Sequence, residues 1–300
     1  MNTFTPHTKY PCELAFHSAC ELGESPIWDA AQERLLWVDI SKGHLHWLAP
    51  ATQKHGLIDV GEWIGSIALT SDGNIIAALA SGFAFIALET AKIDRISDPE
   101  AGLKNNRFND GKCDPSGRFW AGTMSTSGKK EAGSVYAIGP DLMVSKKITK
   151  VTTANGMAWC PTGEIFYFID TPTKRIAAYR FDALTGNIHG KRTVVRIPPA
   201  MGYPDGMTID CNGMLWVAMW DGWSVARWNP QTGKLLALID VPVKRPTSCC
   251  FGGNNLSELY ITTASYGLSD EELKAQPNAG GIFIISNTGT MGLPASKFTL

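Results

Sequence analysis

A six-bladed β-propeller with four-stranded antiparallel blades is the fold this sequence predicts, and three observations predict it. A motif recurs six times in which a short polar residue opens a strand, a tight turn follows, and a second strand returns. The second strands end at Trp37, Ile76, Trp120, Tyr167, Trp216 and Tyr260, so successive units are 39, 44, 47, 49 and 44 residues apart. A further reversal in the outer half of most units makes four strands in each. A unit of this size cannot bury both faces of its sheet alone, and a closed ring covers every face.

The first unit opens at Glu24-Ser-Pro-Ile-Trp28, turns through Asp29-Ala-Ala-Gln-Glu33 and returns along Leu35-Leu-Trp37. The second runs from Gly65-Ser-Ile-Ala-Leu69 through Ser71-Asp-Gly73 to Ile75-Ile76. The third, Asn109-Asp-Gly-Lys-Cys113, turns at Asp114-Pro-Ser-Gly117 into Phe119-Trp120. The fourth, Asn155-Gly-Met-Ala-Trp159, turns at Cys160-Pro-Thr-Gly163 into Phe166-Tyr167. The fifth, Asp205-Gly-Met-Thr-Ile209, turns at Asp210-Cys-Asn-Gly213 into Leu215-Trp216, and the sixth joins Thr247-Ser-Cys-Cys-Phe251 to Leu259-Tyr260. Pro, Asp or Asn beside Gly supplies the backbone angles that such reversals demand. The outer reversals fall at Ala49-Pro-Ala-Thr52, Gly139-Pro-Asp141, Ala183-Leu-Thr-Gly186 and Asn229-Pro-Gln-Thr-Gly233.

Six blades use all 300 residues as one domain, 1–300, with no linker. Charged residues are 18% of the chain, below the roughly 25% of an average globular protein, as expected where much of each sheet is covered. Net charge is −1, and the basic pairs Lys129-Lys130 and Lys146-Lys147 read as solvated loops, so neither nucleic acid nor a membrane surface is an expected partner. The first ten residues lack a charged start followed by an apolar run, and no segment approaches the roughly 18 apolar residues of a membrane helix. A cytoplasmic location is expected. The seven cysteines form no CxxC pair, and reduced, buried thiols are the expected state.

The innermost strand of a propeller blade lines a central channel, so equivalent repeat positions form a ring about one axis. Counting back from the second-strand markers puts Glu24, Ser66, Asn109, Asn155, Asp205 and Ser248 on that ring. Glu24 and Asp205 would face each other as anions with no cation among the six positions, which is costly. A divalent cation resolves the cost: two carboxylates and the Asn155 carbonyl oxygen are hard ligands that leave open positions for water or substrate. Each Asn-Gly or Asp-Gly pair alone suits an ordinary turn, but a turn does not require the shared register. The ion expected is one of Ca²⁺, Mg²⁺, Mn²⁺, Fe²⁺ or Zn²⁺, the oxygen set weighing against a tightly held structural Zn²⁺. Arg107, just upstream of the ring, offers a donor fork to a substrate oxygen, and Asn109 both a donor and an acceptor. Asp110 reads as a buried supporting acceptor.

Other chemistries lack agents. There is no GxSxG, HExxH, P-loop or GxGxxG, and all six histidines (His7, His17, His44, His46, His55 and His189) lie off the ring. His44 and His46 read as an outer-strand surface pair. The tryptophans read mostly as core, with Trp220 a candidate for the channel mouth.

Leu22-Gly-Glu-Ser-Pro-Ile-Trp28, Arg107-Phe-Asn-Asp-Gly-Lys112, Asp114-Pro-Ser-Gly-Arg-Phe-Trp-Ala-Gly-Thr-Met124, Asn155-Gly156, Pro204-Asp-Gly-Met207, Thr247-Ser-Cys-Cys-Phe-Gly-Gly253 and Ala279-Gly-Gly-Ile-Phe283 together resemble the senescence marker protein, gluconolactonase and luciferin-regenerating enzyme family over nearly the whole chain. The resemblance implies a six-bladed propeller with one divalent metal on Glu24, Asn155 and Asp205, and substrate held by Arg107 and Asn109. It also implies hydrolysis of an aldonic acid lactone, a small sugar ester; Asp205, which would sit on the metal and present a second oxygen, is the candidate catalytic base. Regucalcin-like members carry a longer acidic loop after Gly-Thr-Met. Here Ser125-Thr-Ser-Gly-Lys-Lys-Glu-Ala132 is short, with Glu131 its one acid, which implies a more open site. Two other functions suit the same metal site: hydrolysis of phosphotriesters or other esters, and calcium or protein binding without turnover.

Overall fold

The computed structural model describes residues 10–300. Residues 1–9, which make up most of the N-terminal segment read above for an export signal and include His7, lie outside the described residues. Among the described residues, twenty-four strands form six separate four-stranded antiparallel sheets, the propeller that the repeat predicts. The inner strands are Gly23–Asp29, Ile64–Leu69, Asn106–Cys113, Ala154–Trp159, Tyr203–Ile209 and Pro246–Gly252. Each packs against the next in ring order, and the last against the first.

Five blades are continuous stretches of chain. The sixth takes Pro246–Gly252, Glu258–Thr263 and Ile282–Ile285 from the C-terminal part, and its outermost strand is Glu13–Phe16, paired antiparallel with Ile282–Ile285. Backbone hydrogen bonds, rather than side-chain packing alone, therefore close the ring.

Every inner strand carries a register irregularity at the same place: Glu24/Ile27, Ile64/Ser66, Phe108/Gly111, Asn155/Met157, Pro204/Met207 and Pro246/Ser248. An inserted residue inverts the in-out alternation of a strand. Residues 24 and 27, an odd number apart, would face opposite sides of a regular strand; the bulge lets both meet the channel.

The bulge also corrects the ring. The hairpins close through main-chain bonds from Thr70 to Asn74, Asp114 to Arg118, Cys160 to Ile165 and Asp210 to Met214. Five residues before Thr70, Asp114, Cys160 and Asp210 stand Gly65, Asn109, Asn155 and Asp205. The paired ends Asp29 and Gly252 give Glu24 and Thr247 by the same count. Ser66 and Ser248 therefore sit one residue beyond the ring, whose members in those blades are Gly65 and Thr247. A Cβ on Gly65 would lie 2.6 Å from the Phe108 carbonyl, so the neighbouring strand excludes any side chain there.

Between the blades the core is apolar and aromatic, with Trp37, Trp120 and Trp216 wholly buried as predicted. Burying a side chain of this size contributes about 3 kcal/mol. Each indole N–H is also satisfied: Trp120 by Asp114 at 2.9 Å, Trp216 by Asp210 at 3.0 Å and Trp37 by the Cys20 sulfur at 3.4 Å. His44 and His46 are not a surface pair. His46 is buried and stacked on Trp37 with ring centroids 5.1 Å apart, and its Nδ1 lies 3.1 Å from Nε2 of His55. Burial, with His55 and His44 nearby, holds its pKa down at about 3. All seven cysteines are free thiols, and no helix among the described residues is long and apolar enough to cross a membrane.

Candidate metal and substrate site

At the N-terminal ends of the inner strands, Glu24, Asn109, Asn155 and Asp205 are all buried and face one another across the channel. The Glu24 carboxyl is pushed well above the usual carboxylate range by burial first, then by Asp205 and Asp110. Asp205 is raised likewise, by burial and then by Asp110, with the Asn155 amide beside it acting in the opposite direction. Burial also raises Asp110, which is tempered by Lys112 and the Gly111 N–H. Three carboxyl groups thus crowd one desolvated space.

Main-chain geometry fixes their orientation. Glu24 Oε2 accepts the Ser25 N–H at 2.9 Å, and Ser25 stands at φ 50 immediately before Pro26. A non-glycine residue in that region is strained, and the bulge at the site holds it there. Ser25 Oγ accepts the Ile67 N–H at 3.0 Å, tying the first blade to the second. A Cβ on Gly206 would fall 2.1 Å from Ser248 Oγ, which keeps the residue after Asp205 a glycine.

The Asn155 amide is held in one sense. Its Nδ2 donates to Thr171 Oγ1 at 2.9 Å, and that hydroxyl donates to the Pro204 carbonyl at 2.9 Å. Its Oδ1 is buried without a hydrogen-bond partner. An unsatisfied buried acceptor costs about 1–3 kcal/mol, so one on an amide beside the Asp205 carboxyl requires an explanation. No cluster of three or more His, Cys, Asp or Glu side chains able to hold a metal occurs among the described residues. A divalent ion would therefore rest on the two carboxylates of Glu24 and Asp205 and this one amide oxygen. The donor set fits such an ion: its charge offsets the two buried anions, and Asn155 Oδ1 gains the partner it lacks.

Arg107 and Asn109 lie beside that set. Arg107 Nη1 donates to Asn109 Oδ1 at 2.7 Å and to the Phe108 carbonyl at 2.9 Å, while Asn109 Nδ2 donates to the Ala154 carbonyl at 2.9 Å. Burial lowers the Arg107 pKa to about 10 against the opposing pull of Glu24, Tyr266 and Asp205. The guanidinium thus keeps its charge and has Nε and Nη2 left to donate. Asp110 Oδ1 accepts the Gly111 N–H at 2.7 Å, in keeping with a supporting role. Glu131 is exposed and its loop is short, so no carboxylate from it enters the channel. Trp220 is half-buried under the Arg245 guanidinium, 4.7 Å from its ring centroid.

Sequence reasoning missed Thr171, which pins Asn155, and Tyr266, which lies near Arg107. Neither belongs to the repeat. Both follow second strands, where loop lengths differ between blades, so no register marks them.

The family model described as the SMP-30/Gluconolactonase/LRE-like region matches residues 22–265. Regucalcin of Oryctolagus cuniculus is 40% identical over 292 residues, spanning 95% of this chain and 97% of that protein. A luciferin-regenerating enzyme structure aligns with TM-score 0.91 at 30% identity over 97% of this chain and 99% of that one. The calcium-binding protein regucalcin from Agrobacterium tumefaciens aligns with TM-score 0.94 at 27% identity over 99% and 100%. With its propeller, its channel residues and a family match running through all six inner strands, the chain belongs to the SMP-30/gluconolactonase/LRE-like family.

Proposed function

We propose that the protein is a divalent-metal-dependent lactonase that opens a sugar lactone to the open-chain aldonic acid, a step in carbohydrate catabolism. The observation that carries this reading is the unpartnered Asn155 Oδ1, on an amide beside the buried Asp205 carboxyl, with the buried Glu24 carboxyl close enough to act on Asp205. Glu24, Asn155 and Asp205 would hold the ion. When bound, the ion supplies a Lewis acid for the ester carbonyl and offsets the two anions. Arg107 and Asn109 orient the sugar hydroxyls, their mutual hydrogen bond holding both in place before substrate arrives. Asp205 accepts a proton from the attacking water as its oxygen bonds to the carbonyl carbon. The ring C–O bond then breaks, and the proton passes to the departing ring oxygen. An aldonolactone suits a polar, compact site whose mouth carries no acidic lid. Seven free thiols accord with a reducing compartment, and we place the protein in the cytoplasm.

Hydrolysis of a panel of five- and six-carbon aldonolactones, followed by acid release with metal-stripped and then ion-restored protein, tests the proposal. Metal-dependent turnover that disappears in Asp205→Asn is the expected result. Metal binding with no turnover on any lactone would favour a calcium-binding propeller like the Agrobacterium relative.

A further inference from the structure

Behind the ring, toward the hairpin ends of the inner strands, lies a cavity of about 540 Å³. Its wall includes one equivalent position from every blade: Ile27, Ala68, Lys112, Ala158, Thr208 and Cys250. Four of the six are apolar or a buried thiol, and Lys112 is the only cation among them. The far mouth is crossed by the C-terminal segment. Gly292 bridges to Asp210 in the fifth blade and Phe298 to Thr70 in the second, on opposite sides of a six-membered ring, and residues 293–297 line the cavity between them.

We propose that this rear cavity binds a small amphipathic monocarboxylate, its head on Lys112 and its tail along the apolar wall. The volume lies in the range of about 300–1,000 Å³ that small-molecule sites occupy. Lys112 Nζ donates to the Met207 carbonyl at 2.6 Å, which leaves two of its three N–H groups available. Lys112 thus offers two spare donors to an acceptor-bearing group. Charge points the same way: Glu33 and Lys297 on the wall cancel, and Glu24, Asp205 and Asp110 are outweighed by one unit when Arg107, Lys112 and a divalent ion are counted, so one anion completes neutrality. That count rests on the metal reading of the proposed function; the cavity and its donors do not.

Octanoate and 1-octanol are the probes, followed by tryptophan fluorescence, since Trp28 and Trp159 line the cavity. Each is titrated into metal-loaded and metal-stripped protein. Octanoate is expected to bind saturably, at least tenfold more tightly than octanol and at least tenfold more tightly than to Lys112→Met, as befits a charge-assisted hydrogen bond. Ala158→Phe, which fills the cavity from its wall, is expected to abolish binding while thermal melting shows a folded protein; Ala158→Leu, a smaller fill, serves if the larger variant does not fold. Absence of saturable binding would overturn the proposal. So would octanoate binding that survives the filled cavity, and its loss on metal stripping alone would assign the carboxylate to the Glu24 ring. Failure of lactone turnover leaves the octanoate result unaffected, so the two readings fail separately.

Discussion

Two of the inner strands carry buried acids at both ends, and the two sets are treated differently. Five residues separate Glu24 from Asp29, Asn109 from Asp114 and Asp205 from Asp210. At the hairpin end each aspartate is paired: Asp29 with Arg34 at 3.1 Å, Asp114 with Arg118 at 2.6 Å and Asp210 with Arg227 at 2.5 Å. Two of these also cap a buried tryptophan. At the ring end Glu24 and Asp205 are equally buried, yet neither is in an ion pair among the described residues. A buried charge with its partner in place serves the fold, whereas one held without a partner stores a cost that a ligand can relieve. The contrast sets acids that serve the fold apart from those proposed to hold an ion, without reference to any relative.

The largest expected effect breaks the ring end. Asp205→Asn should reduce lactone turnover about a thousandfold while leaving the fold intact; kcat and circular dichroism on the same preparation check it. Next comes the hairpin end, where Asp210→Ala leaves Arg227 and the Trp216 indole without their acceptor and should cost about 3 kcal/mol of stability. Denaturant unfolding measures this, and an unchanged midpoint would dissolve the contrast between the two ends. Thr171→Val tests how the amide is aimed: freeing Asn155 Nδ2 should weaken metal affinity about tenfold or more with little change in melting temperature, read by calorimetric titration.

A further effect, seen only on acidification, lies away from both ends, at His46. Its folded pKa of about 3 is below the ordinary value of 6.5. Between those limits the unfolded chain binds a proton that the folded one does not, so stability is full above about pH 6.5 and falls as pH drops. The loss should be about 2 kcal/mol at pH 5. His46→Phe, which retains a ring against Trp37, should flatten that part of the pH profile of unfolding.

Glu24, Asn109, Asn155 and Asp205 were legible in the sequence because a polar residue before a turn-delimited strand repeats with nearly constant spacing. Gly65 and Thr247 were not, because a serine next door resembled the motif more closely and the bulge that fixes the register has no residue signature. The sixth blade's outer strand, Glu13–Phe16, was hidden because its partner lies at the other end of the chain and no turn joins them. The rear cavity was hidden for a related reason: the segment over its mouth, residues 293–297, is outside the repeat. His46 was misplaced because strand alternation assigns a face but cannot tell whether Trp37 and His55 cover it.

Titration of Ca²⁺, Mg²⁺ and Mn²⁺ into metal-stripped protein, paired with thermal melts of wild type and Glu24→Gln, tests the central claim most directly. The account predicts one ion per chain and a rise in melting temperature on loading. It also predicts that Glu24→Gln, relieved of one unpaired buried charge, melts higher than wild type when stripped and gains little from the ion. Failure of every ion to bind, or a stripped Glu24→Gln less stable than stripped wild type, would contradict it.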